Sequence, residues 1–250
     1  MSPKRKRFRV VAGALFAGAM VVVAVLQLQE AHTKSLQNSA ILAADSYLKV
    51  LDAMRALYTS EVVNRLPDDL PVTHDYYLRD HEVPLPATLT ILLAERLGDL
   101  IEGLEVRLYS EYPFPWRAPA VMDDFERSAL EVLSENPDTT LSEFQETDAG
   151  RTLRFARGDP MRSECVSCHN SHADSPKTDW RVGDLRGVLA ISFPLATFEE
   201  NAKAARRPYE MLLILALLGL LAAVVILAAP VAGASAERER GTPGAGSEGG

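Results

Sequence analysis

The sequence predicts an α+β domain, an antiparallel sheet covered by helices, set between two helices apolar enough to cross a membrane. Three observations carry that expectation. The 250-residue chain holds two apolar blocks nearly free of charge, a long stretch free of proline and glycine behind the first, and several alternating segments separated by turn residues.

Taken in order, KRKRFR (residues 4–9) places five cations in six residues directly before the first block, VVAGALFAGAMVVVAVLQL (residues 10–28). An uncharged helix of this length crosses a hydrocarbon core of about 30 Å at ~1.5 Å per residue. The cation-rich side then stays in the cytoplasm. A cleaved signal peptide is the alternative, but its apolar region is usually about 7–15 residues and ends at a small-x-small site, which LQLQEAH lacks. An uncleaved anchor is therefore expected.

Residues 30–66 read as one long helix, with Leu36, Ala44, Leu48, Leu51, Met54, Tyr58 and Val62 at three- to four-residue spacing. That stripe suits packing on its own domain or on a second copy in a homodimer. The proline-punctuated residues 67–86 read as loop, and residues 87–102 as a helix closed by Gly103. LEVRLYS (residues 104–110) alternates as a strand, and the turn YPFPWRAP follows. Asp123 as N-cap with Glu126 three residues on resembles a capping box. EFQETD and RTLRFA suggest a hairpin around residues 149–150, GDPMRSE a loop, and LRGVLAISFPL (residues 185–195) a strand.

The second block (residues 209–229) carries Glu210 near its start and no other charge, and it shows no polar face, so a second span is expected. Two crossings leave both termini in the cytoplasm and residues 30–207 outside it. Residues 230–250 are small, polar and glycine-rich, too poor in apolar side chains to form a core, and are expected to be disordered. The partners implied are a lipid bilayer and, since no output domain follows, a separate signalling or redox protein. A formal charge of −8 and a pI near 5.2 argue against a nucleic-acid partner.

Both cysteines of the chain lie in RSECVSCHNSH (residues 162–172). The pattern C-x-x-C-H is the attachment signature of a c-type haem. Two thiols three residues apart on one turn each bond a vinyl group of the porphyrin, and the following histidine becomes the proximal iron ligand. Cys165, Cys168 and His169 fill those places. Three other readings stand beside it: a disulfide or thiol-exchange pair, a zinc site of Cys165, Cys168, His169 and His172, and chance. The first wants a strand-to-helix setting, and the second strains two adjacent ligands onto one tetrahedral ion.

CVSCHNSHADSPKTDWRVGDLRGVLAISFPL (residues 165–195) resembles the end of the c-haem-binding, PAS-like sensor domains found outside the membrane before bacterial adenylate/guanylate cyclases, histidine kinases and chemoreceptors. The likeness continues upstream through THDYY, VPLPATLT, VRLYSEYPFPWR and DDFERSALEVL, covering about residues 35–195. It implies a PAS-like sheet carrying one covalent haem c. The domain would then lie in the periplasm of a two-pass bacterial inner-membrane protein.

Some members of that family place a cysteine thiolate on the iron's other face, which this chain cannot do with both thiols engaged. His74, in the family-like THDYY stretch, is the favoured distal ligand. An open or water-bound site is next, and His81, His172, Met161, Met54 and Met122 are the remaining donors. Arg107, Arg117, Lys177 and Arg181 are candidates to pair with haem propionates. No convergent acid–base set surrounds the motif, so an enzyme is not expected. The resemblance implies a redox or diatomic-gas sensor that feeds a signal inward. The alternative is a membrane-bound mono-haem cytochrome for electron transfer.

Overall fold

Between Pro3 and Pro67 the sequence has no proline, and the chain is helical over nearly that whole distance. The computed structural model describes residues 3–67, 69–117, 121–147 and 150–228. Its elements, in order, are α1 (Pro3–Leu57), β1 (Val72–Thr73), β2 (Val83–Pro84), α2 (Pro86–Leu100), β3 (Glu105–Tyr109), α3 (Asp124–Glu135), β4 (Thr140–Thr147), β5 (Gly150–Pro160), α4 (Ser163–Ser171), β6 (Leu185–Pro194) and α5 (Ala196–Ala228). The chain divides into two units, Met1–His32 with Lys203–Gly250, and Thr33–Ala202. The expected disordered tail, residues 230–250, lies outside the described residues.

In the first unit, α1 and α5 each present a run long and apolar enough to cross a membrane, and neither run is buried within the protein. Phe16 is 70% exposed and Ile226 73%. Helices that bury no face of their own find their apolar environment elsewhere, and both are candidate membrane spans.

The second unit is built on a four-stranded antiparallel sheet in the order β3-β6-β5-β4. Side chains alternate across it, so Leu189, Ile191 and Phe193 of β6 point to one face and Val188 and Ala190 to the other. The first face packs Leu153, Phe155, Leu189 and Ile191 against Ala40, Ala44, Leu48 and Leu51 of α1. The second packs Ala156, Val188 and Ala190 against Phe125, Ala129 and Leu133 of α3. Each fully buried aliphatic or aromatic side chain contributes about 1.5–3 kcal/mol.

The capping box is present at α3. The Glu126 N–H donates to Asp123 Oδ1 at 2.9 Å, and the Asp123 N–H donates to Glu126 Oε2 at 3.2 Å. α2 ends earlier than expected, at Leu100 with Ile101 as its C-cap, and Gly103 lies in the turn before β3 at φ +78°, where a side chain would be strained. The hairpin and the strands expected at residues 104–110 and 185–195 form as β4–β5, β3 and β6.

Two expectations are corrected. The buried stripe of α1 runs Ala40, Ala44, Leu48, Leu51 and then Arg55 and Thr59, whereas Met54 and Val62 are exposed. A charged residue continues the stripe because it meets a buried carboxylate across the domain, a partner that apolar periodicity cannot reveal. The segment GDPMRSE is not a loop throughout. β5 extends through Gly158, Asp159 and Pro160, with a register shift at its end, and α4 starts three residues later. Gly158 permits this, because a Cβ there would stand 2.6 Å from the Pro137 carbonyl oxygen. The end of α1 also departs from regular helix. Tyr58–Val62 form a π-helical turn and Val63–Arg65 a 3₁₀ turn, before Leu66 extends in front of Pro67.

Candidate functional site

The nine-residue helix α4 carries Cys165, Cys168, His169, with His172 as its C-terminal cap. Offsets of three, four and seven residues put them on one helical stripe. All four line a single cavity of about 490 Å³, within the range of small-molecule sites. The stretch between β3 and α3 supplies the aromatic wall of Tyr112, Phe114 and Trp116, and the end of α1 with the two turns that follow it supplies Arg55, Thr59, Val63 and Asn64. Leu85 to Thr88, at the start of α2, complete the apolar lining.

The rings form a packed set. Phe114 stacks on Trp116 with centroids 4.6 Å apart, and its edge meets His169 and His172, both at 5.4 Å. Trp180 meets His169 edge-on at 6.4 Å. It is fixed to α4 by two hydrogen bonds with Asn170, each 2.9 Å, one from the Trp180 N–H and one to its carbonyl. His172 holds the following loop, its Nδ1 accepting from the Asp174 N–H at 3.1 Å.

A buried ion cluster backs the cysteine end. Asp159 is 3% exposed and accepts from Arg55 Nη1 at 3.1 Å and from Arg186 Nη2 at 2.7 and 2.8 Å. Arg55 Nη2 also reaches Asp52 at 2.9 Å, and Asp52 pairs with Arg162, the N-cap of α4. Arg186 and Cys165 line the same cavity. Buried charges are tolerated only when paired this fully. The helix bearing the motif is thus strapped to α1 through Arg162–Asp52, and the end of β5 just before it through Asp159–Arg55. Gly187, beside Arg186, lets β6 pass close to β3, since a Cβ there would lie 2.6 Å from the Tyr109 carbonyl oxygen.

Burial sets the protonation of the site. Desolvation, with Arg186 next, pushes His169 down to about 4, so its imidazole is neutral at pH 7 with a lone pair available. Burial and then the neighbouring Cys165 push the Cys168 thiol up. For Asp159, burial alone would raise the carboxyl, but Arg186 and Arg55 outweigh it and hold it below the usual range.

The other sequence candidates fall elsewhere. His74 is not part of the cavity lining. Its ring stacks flat on Trp116, with centroids 4.4 Å apart and planes within 8°. His81 is exposed and adopts φ 66°. Met122 lines the cavity, whereas Met161 is buried outside the lining and Met54 is 45% exposed. Among the described residues, no group of three or more His, Cys, Asp or Glu side chains converges to hold a metal ion, so the zinc arrangement of Cys165, Cys168, His169 and His172 is not assembled. No pattern in the sequence marks Asp159 or Arg186, and for Arg55 the one signal is a charged residue at helical spacing after Leu51.

An aromatic-walled cavity with two thiols and a neutral imidazole on one helix marks a ligand-holding domain. The chain belongs to the Tll0287-like family, whose model matches residues 32–194. One solved structure similar to it is that of the cyanobacterial haem protein Tll0287, at 21% sequence identity and a TM-score of 0.40, covering 60% of this chain and 91% of that one. No curated protein matches the chain.

Proposed function

We propose that the Thr33–Ala202 unit binds one covalent haem c, with Cys165 and Cys168 as thioether sites and His169 as proximal iron ligand. The observation that carries this is the shared direction of the three side chains, which lie on one stripe of α4 and line one cavity. The donor set fits: the His169 imidazole, neutral at pH 7, beside two thiols, with flat aromatic walls that accept a flat ring. Membership of the Tll0287-like family, named after a protein described as a cyanobacterial haem protein, supports the reading.

The haem would supply an iron that changes oxidation state or takes a diatomic gas. The chain's own part is to hold His169 unprotonated, to exclude water with Phe114, Trp116 and Trp180, and to tie α4 to α1 through Arg162 and Asp52. We infer that the domain is PAS-like, lies in the periplasm of a two-pass inner-membrane protein, and acts as a redox or gas sensor. A helix that lines the cavity at Arg55 and continues into an apolar span suits a signal-input module. The stacking of His74 on Trp116 favours a sixth iron position open to a small ligand, with His74 a ligand only if its ring leaves that stack.

The test is a reduced-minus-oxidised spectrum of the purified full chain, with and without carbon monoxide. A haem band that survives denaturing electrophoresis in the wild type and is lost in C165A/C168A is expected, together with a carbon-monoxide shift unchanged in His74→Ala. Wild-type protein without covalent haem would overturn the proposal. A haem reduced by respiratory membranes yet inert to carbon monoxide would transfer it to electron transport.

A further inference from the structure

Four cations were candidates to meet carboxylates in the cavity, and the fold separates them. Arg107 is taken by Glu126 at 2.7 Å, on the α3 face of the sheet. Lys177 pairs with Asp179 and lies over the rings of Tyr112 and Trp180, at 5.7 and 5.1 Å. Arg181 is exposed, and none of these three lines the cavity. Arg117 does line it.

The surroundings of Arg117 differ from those of the other two cavity arginines. Arg55 and Arg186 share the buried carboxylate of Asp159. Arg117 donates from Nη2 to the Leu108 carbonyl oxygen, and among the described residues no carboxylate stands within ion-pair distance of it. Burial is the cause that lowers its proton affinity, with no anion to offset it. A half-buried guanidinium without a counter-ion is costly, and its remaining N–H groups suit a planar carboxylate.

The less exposed charges of the lining point the same way, although Glu111 and Glu164 bring the whole lining to formal neutrality. Arg55, Arg117 and Arg186 stand against one buried carboxylate, Asp159, which leaves an excess of two positive charges. Adding the paired Asp52 and Arg162 leaves that excess unchanged. Glu111 and Glu164, the two other acidic residues of the lining, are exposed to solvent and better screened. An apolar ring with two carboxylates matches both the aromatic walls and the excess charge.

We infer that the cavity is selective for a dicarboxylate, and that Arg117 is the residue that reads a carboxylate of the bound ring. The inference rests on the haem reading above and names the polar contact that reading leaves open. The test uses the full chain in detergent as C165A/C168A, so that binding is reversible, and iron-free porphyrins, so that His169 ligation does not mask the effect. Protoporphyrin IX and its dimethyl ester are titrated in the same detergent, followed by quenching of Trp116 and Trp180 fluorescence. The free acid is expected to bind at least about tenfold tighter than the ester, the size of one charge-assisted hydrogen bond.

Arg117→Gln should remove that preference while leaving the ester's affinity unchanged, which also reports that the variant is folded. Arg117→Lys should restore part of it. Equal binding of acid and ester, or a loss in Arg117→Gln shared by both, would overturn the inference and leave the haem reading standing. Binding of neither porphyrin would overturn both.

Discussion

On the α1 face of the sheet, Asp159 receives hydrogen bonds from two guanidinium groups and is held ionised well into acid. On the α3 face, Glu126 is equally enclosed at 0% exposed, and Arg107 lies 2.7 Å from its Oε1. Yet that oxygen makes no aligned hydrogen bond, and burial, ahead of the bond to Asp123 and the pull of Arg107, leaves the Glu126 carboxyl raised. Enclosure is common to both carboxylates; the number of well-aimed donors differs. A charge deep in a protein is kept by geometry more than by proximity.

The strongest way to break this comparison is to neutralise each carboxylate. Asp159→Asn strands Arg55 and Arg186 and should cost about 3–5 kcal/mol in denaturant unfolding. Glu126→Gln keeps the side chain that a capping box accepts and should cost about 1 kcal/mol. Equal losses would show that the two faces are energetically alike.

Titration sharpens the contrast next, because the two carboxyls bend the stability curve in opposite senses. Asp159 is lowered in the folded state, so its contribution is present above the unfolded value of about 3.9 and is lost as pH falls through the folded value. Arg55 from α1 and Arg186 from β6 are the charges that face it. Glu126 is raised, so its contribution is full at low pH and is lost as pH rises past about 4.3 and through the folded value. Arg107, Arg154 and Asp123 face Glu126. A melting-temperature series from pH 3 to 7 should therefore show Glu126→Gln gaining on the wild type as pH rises. Parallel curves would remove the distinction. The smallest effect belongs to the cap itself: Asp123→Ala should cost about 1 kcal/mol, read as a small shift in the unfolding midpoint.

What could be read in advance follows the range of the interactions involved. The α3 cap, the β4–β5 hairpin and the spacing of Cys165, Cys168 and His169 are local, set by residues within a few positions of one another. Arg55 and Asp159 lie 104 positions apart, and nothing in a linear pattern pairs them. The same holds for the four candidate cations: Arg107 and Arg117 look alike in sequence, and only packing assigns one to Glu126 and the other to the cavity. Gly158 and Pro160 argue against a strand on propensity, yet β5 runs through them, because Pro137 leaves room only for a glycine beside it and the proline falls at the strand's end.

Under the proposed haem attachment, having its only two thiols on a single turn of α4 would give the chain a built-in gauge of its own completion. A molecule whose Cys165 and Cys168 are both bonded to a ring has no sulfhydryl left for a maleimide to label. On that proposal, dye uptake under denaturing conditions would count unfinished copies directly, and a population carrying one dye per chain would consist of molecules stopped halfway through assembly.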